Sequence, residues 1–161
     1  MAIPCGLTII GENQGEIEGA CEIPSREGSM LVYAVDHCVE LPTDNRGVSS
    51  GRRLHRPLTI TKEIDKASPM ILQALCTGER LSEVSLDYYR IDEIGSEELY
   101  YKVILSNALV SKVKPWMPNS LDATKSGYRH MEDVSFIYEK IRWTWELDGI
   151  EFEDVWGESS E

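Results

Sequence analysis

The sequence predicts a mainly β fold, a barrel or a two-sheet sandwich with one packed α-helix, in a single domain spanning residues 1–161. Three observations predict it. Apolar and polar residues alternate with a period of two along several segments. One segment alone carries helix start and stop signals. Turn residues recur between these segments, and no linker, internal repeat or low-complexity tract divides the chain. At 161 residues and 42% apolar, the chain is the size of one ordinary domain with enough apolar surface to bury a core.

Residues 7–11 form the first short strand candidate. Residues 31–41 follow, with Leu31, Tyr33, Val35, His37, Val39 and Leu41 on one side and Asp36 and Glu40 on the other, the pattern of a half-buried strand. Residues 58–61 are a further short candidate. The helix begins where Ser68 can act as N-cap and Pro69 fits the first helical position, where no N–H partner is needed. Ile71, Leu72 and Leu75 make its apolar stripe, and Gly78 can end it in the left-handed conformation. At two to three turns it requires packing on the sheets to be stable.

Residues 81–91 are the next strand, rich in Val84, Leu86, Tyr88 and Tyr89, and Ile94, Gly95 and Ser96 supply a turn. A long strand over residues 98–114 is apolar on both faces: Tyr101, Val103, Leu105 and Leu109 on one, Tyr100, Ile104, Ala108 and Val110 on the other. A small sandwich usually keeps one polar face. The second face is therefore expected to be covered by a helix or by another subunit. Residues 122–131 read as a surface loop. Residues 134–147 alternate again through Ile137, Ile141, Trp143 and Trp145, Asp148-Gly149 fits a tight turn, and residues 150–156 return. Residues 157–161 are a polar tail, expected to fray.

Charge narrows the function. With 16 basic and 28 acidic residues the net charge is -12. That disfavours nucleic acid, which needs a basic face, and docking on an anionic membrane. No apolar run is long enough for membrane insertion. The start MAIPCGLTII lacks a basic region and a long apolar core, so synthesis and folding in the cytoplasm are expected, with export of the folded protein left open. The four cysteines, Cys5, Cys21, Cys38 and Cys76, form no CxxC pair and no zinc spacing with the histidines. They are expected as buried or half-buried free thiols, and no metal or cofactor is expected. Asp36-His37-Cys38 invites a catalytic reading, but successive strand residues point to opposite faces and cannot form a nucleophile–base set. No nucleotide-loop or hydrolase motif occurs, and the chain is expected not to be an enzyme.

Residues 42–57, PTDNRGVSSGRRLHRP, break the alternation and read as a long loop. It is basic, with Arg46, Arg52, Arg53, Arg56 and His55, whereas the C-terminal part holds Glu146, Asp148, Glu151, Glu153, Asp154, Glu158 and Glu161. A basic loop on an acidic body is a plausible self-docking device, arginines pairing with carboxylates of a neighbouring copy. A solvated loop of no particular role is the plain alternative.

These residues also resemble a known family. The start MAIP, the stretch LPTDN, the run GRRLHRPLTITKEIDKASP, the helix through LQALCTGE and the late EKIRWTWELDG are similar to the Hcp proteins of bacterial type VI secretion systems. The most specific part holds His55, Pro57, Thr61, Lys62, Asp65, Ser68 and Pro69, and the next Lys140, Ile141, Trp143 and Thr144. The resemblance implies a two-sheet β-barrel with one flanking α-helix, akin to phage tail-tube proteins, hexameric rings stacking into a hollow tube, and secretion without a signal peptide. It implies a sheath, a VgrG-type spike and small effectors as partners. It places Thr43, Asp44, Arg46, Arg52, Arg53, His55 and Arg56 on an extended loop at contacts between subunits or rings. Every copy added to such an assembly brings another -12, so interface burial must outweigh repulsion and added salt is expected to help stacking. The competing reading is a monomeric β-barrel that holds a small apolar ligand in its interior.

Overall fold

The computed structural model describes residues 2–157. Residues 158–161, most of the expected polar tail, lie outside them. Among the described residues, eleven strands and one α-helix run β1 (Cys5–Gly11), β2 (Gly15–Ile17), β3 (Met30–Asp36), β4 (Val39–Glu40), β5 (Leu54–His55), β6 (Leu58–Glu63), α1 (Ser68–Thr77), β7 (Leu81–Ile91), β8 (Glu97–Trp116), β9 (Met131–Ile137), β10 (Lys140–Trp145) and β11 (Ile150–Val155). A 3-10 turn, Ala123–Lys125, interrupts the loop before β9.

One antiparallel sheet, ordered β8-β7-β1-β3-β6-β9, returns to β8 and closes the barrel. Its interior is filled by the chain's own side chains, including Leu7, Ile9, Met30, Ile60, Leu86, Leu105 and Phe136, each no more than 2% exposed. Ile71 and Ala74 of α1 join this same cluster. A barrel so filled offers no room for a lipocalin-like ligand.

The long strand β8 pairs on one edge with β7 and on the other with two strands in succession. Its Tyr101–Ser106 stretch faces β10, and its Leu109–Trp116 stretch faces β9. Between them Asn107 takes φ +50°, a left-handed conformation that asparagine tolerates better than most side chains. The inward phase changes there: Val103 and Leu105 are buried before it, Ala108 and Val110 after it. The two apolar faces read from the sequence are therefore largely one interior face, shifted by a kink. α1 packs against this strand, one of the two covers expected for it.

The same correction applies twice more. Residues 134–147 are two strands, β9 and β10, broken at Tyr138-Glu139, and the inward set passes from Val134, Phe136 and Tyr138 to Ile141. β10 ends at Trp145, ahead of the turn at Gly149. β3 ends at Asp36, so residues 37–41 leave the sheet. Met30 and Val32 are its buried residues, a bulge follows, and Val35 then packs on the core. Leu31 and Tyr33 point away, with Tyr33 48% exposed. Within β3 a bulge reverses the alternation, and at Tyr138-Glu139 the break between two strands does.

The helix starts one residue earlier than its capping signal suggested. Ala67 holds the N-cap position without a side-chain bond. The Ser68 hydroxyl instead donates to Glu132 Oε1 (2.7 Å) and accepts the Asp65 N–H (3.0 Å). Gly78 ends the helix at φ +66° as expected. Ser68 belongs to a buried charged corner. Lys62 Nζ lies 2.6 Å from Glu132 Oε1 and 2.9 Å from Asp65 Oδ1, and donates to the Glu63 carbonyl. The side chains of Lys62 and Glu132 are each 1% exposed. Thus Thr61, Lys62, Asp65 and Ser68 fasten the β6–α1 turn to β9, Thr61 through its 2.8 Å bond to Asp133. The most specific sequence run has a structural explanation.

All four cysteines are free. Cys5 and Cys21 are buried, whereas Cys38 and Cys76 are exposed rather than buried or half-buried. Burial pushes the Cys5 thiol up to about 11, against the weaker opposite pull of Arg26.

Candidate assembly surface: a clamped arm and an open apolar strip

The segment read as a loop is a β-hairpin. Val39 pairs with His55 and Glu40 with Leu54, and Thr43 bridges Ser49 further out. Asp44 builds the tip: its Oδ1 accepts the N–H groups of Arg46 (2.8 Å) and Val48 (3.0 Å). Gly47 takes φ +78°, which glycine adopts without a Cβ clash. Every residue from 43 to 52 is exposed, so the hairpin is an arm that stands off the barrel.

The base of the arm is clamped to β11. Arg53 makes a two-pronged contact with Asp154, Nε to Oδ2 at 2.5 Å and a terminal nitrogen to Oδ1 at 2.7 Å. His55 Nε2 lies 2.8 Å from the same Oδ2. The other ring nitrogen of His55 meets Tyr138 Oη at 2.7 Å, and His37 Nε2, from the opposite stem, meets that oxygen at 2.9 Å. His55 also stacks on Trp156, and His37 on Trp143. The hydrogen bond from Arg53 is the main cause that holds the Asp154 carboxyl at about 2, helped by His55 and opposed by burial. Burial and then the Asp154 charge push the Tyr138 phenol well above its ordinary value.

The seven residues expected at subunit contacts thus divide. Thr43 and Asp44 shape the arm. Arg53 and His55 are bonded to Asp154 of their own chain, and Arg56 pairs with Glu40 across the hairpin (2.6 Å). Arg46 and Arg52 are exposed and, among the described residues, form no ion pair. Sequence reasoning missed Tyr138, His37, Trp143 and Trp156 as partners of the arm. Asp154 stood among the C-terminal acids, but nothing local distinguished it from Glu151 or Glu153.

The arm is apolar as well as basic: Leu41 is 55%, Val48 58% and Leu54 43% exposed. A second apolar area lies on β10–β11. Trp143 pairs directly with Phe152 and stacks on it, in register with Ile141 of the core. The barrel's interior face therefore continues outward along this hairpin. The arm's stem covers its near end at Trp143, while Phe152 (65%) and Ile150 (66%) remain exposed. Exposed residues of this size grouped on one face mark an interaction surface.

A closed antiparallel barrel with one packed helix, a clamped arm and an uncovered apolar strip defines the class as a small β-barrel with a projecting hairpin. Comparison with known proteins fixes the family. Residues 7–145 match the family model described as "Type VI secretion system effector, Hcp". The "Major exported protein" of Pseudomonas aeruginosa is 37% identical over 166 residues, covering 97% of this chain and 96% of that protein. The structure resembles Hcp1 of Escherichia coli EAEC 042 (37% identity, TM-score 0.86, 96% of this chain and 99% of the other) and the secreted protein Hcp3 of Pseudomonas aeruginosa (34%, 0.80, 96% and 99%). The chain belongs to the Hcp family of type VI secretion system proteins.

Proposed function

We propose that this chain is a structural subunit of the type VI secretion tube: it forms hexameric rings that stack, is exported with the tube, and carries small effectors in the channel. The observation that carries this reading is the arm. A hairpin exposed throughout its outer length, yet fixed at its base by Arg53, His55 and Asp154, presents Leu41, Val48, Arg46 and Arg52 in a set geometry. Stiffening an exposed apolar segment before contact lowers the entropy lost on association. Membership of the Hcp family supports the same conclusion, as does the exported relative. A spike of the VgrG type and a sheath are the further partners this role entails.

Sedimentation velocity and electron microscopy test it: rings of six chains are expected, and a monomer at all concentrations overturns the reading. Exchanging Arg46 and Arg52 for Glu is expected to weaken stacking of rings. Stacking that persists unchanged removes the basic tip as the docking element. Assembly that falls as salt rises identifies specific ion pairs, rather than screened repulsion, as the controlling term.

A further inference from the structure

Both stems of the arm end on one oxygen. His37 Nε2 and His55 Nδ1 lie 2.9 and 2.7 Å from Tyr138 Oη, and a phenol carries a single proton. With Asp154 ionised, the Nε2 of His55 must carry hydrogen to bond it. The Tyr138 hydroxyl then donates to one imidazole and accepts from the other. Apart from the form in which His37 alone is charged, which keeps the bonds of the first arrangement, two arrangements satisfy every member. In the first both rings are neutral, His37 Nε2–H donates to Oη, and the Tyr138 O–H donates to His55 Nδ1. In the second His55 is an imidazolium that donates to Oη, the Tyr138 O–H donates to His37 Nε2, and His37 keeps its hydrogen on Nδ1.

A second excess proton satisfies neither arrangement. Both imidazolium N–H groups then point at Oη, the phenol's own proton loses its acceptor, and two cations share one oxygen. We propose that His37, Tyr138, His55 and Asp154 form a proton-counting latch, which pins the arm while the two imidazoles share at most one extra proton and releases the His37 stem when both are charged.

The surrounding charges set how readily His37 takes up a proton. His55 faces Asp154 of β11, with Arg53 on the same carboxylate, Tyr138 from the β9–β10 connection and the Trp156 ring. His37 faces His55, Tyr138, the Trp143 ring, its neighbour Asp36 and the Arg56 backbone. Burial and then His55 hold the His37 ring below its ordinary value of 6.5, against the weaker opposite pulls of Asp36 and the Arg56 backbone. The folded value lies below the unfolded one, so the latch is at full strength above about pH 6.5 and weakens as pH falls through the lowered value. This inference concerns the arm's attachment to its own barrel and does not require that rings form.

Hydrogen exchange read by mass spectrometry on the full chain at pH 7.5 and 5.0, corrected for the intrinsic pH dependence of exchange, tests the latch. Amides of residues 38–56 are expected to lose about tenfold protection at pH 5.0 while those of β7 and β8 do not. In His37→Gln, which keeps a neutral polar group at this place, the arm's acid response is expected to vanish. No loss in the parent, or the same loss in the variant, overturns the proposal. If the variant fails to fold, ring-nitrogen NMR of the parent decides: His37 is expected to titrate below its ordinary value, with loss of its Tyr138 contact, and titration of His37 at its ordinary value overturns the proposal.

Discussion

Lys62 and Arg53 each fasten one part of this chain to a carboxylate from a distant strand, but under opposite conditions. Lys62 and Glu132 are both 1% exposed, with Asp65 and Ser68 completing their bonds. Arg53 and Asp154 are 23% and 15% exposed, at the rim of the barrel. In the interior neither charge has water to fall back on, so the pair holds only while each partner is present. At the rim, water replaces a lost partner in part. One cluster therefore governs whether the β6–α1 corner folds, and the other governs where the arm sits. The difference comes from the dielectric surroundings of two otherwise similar ion pairs.

The largest expected effect breaks the interior pair. Lys62→Met leaves Glu132 buried without its cation and should cost about 3–5 kcal/mol, while Lys62→Met with Glu132→Leu should recover most of that. Urea denaturation measures both, and a single variant as stable as the parent would show that this corner is wetter than its burial indicates.

A smaller effect is expected at the rim. Arg53→Ala removes charge-assisted bonds of about 1.5–3 kcal/mol, and the loss should appear mainly as faster exchange in the arm. The same clamp has an acid signature. Asp154 titrates at about 2 folded against an ordinary 3.8. Its contribution to stability is thus complete above about 3.8 and is lost as pH falls towards 2. Asp154→Asn should flatten stability against pH across that window, and an unchanged slope would break the contrast between the clusters. The smallest effects sharpen it from the other side. Arg46→Ala and Arg52→Ala should alter stability by no more than about 0.5 kcal/mol, read by calorimetry, because both residues are exposed and form no ion pair among the described residues.

Much of the barrel was legible because strand alternation and turn residues are local signals. β7 appears with the bounds its pattern suggested, and α1 ends at Gly78. The helix start was misjudged because Ser68 was a plausible cap, and nothing nearby announced that Glu132 would claim its hydroxyl. The arm stands out in composition but reads as a loop, since Val39–Glu40 and Leu54–His55 are too short to show alternation. The sequence named polar residues of the arm but not its exposed Leu41, Val48 and Leu54, and it supplied no partner within the chain for Arg53 or His55.

By itself, then, the sequence determined a β-rich chain with one helix, a basic excursion, an acidic end, and motifs that place it among Hcp-like proteins. The tertiary structure alone decided where the alternation reverses, at Asn107, at Tyr138-Glu139 and within β3. It also decided that Arg53 and His55 spend their bonds on their own chain's Asp154. The reason is one of range. Periodicity records what each residue does relative to its neighbours in sequence, whereas a bulge and an ion pair depend on which distant segment arrives alongside, and only closure of the barrel brings those segments together.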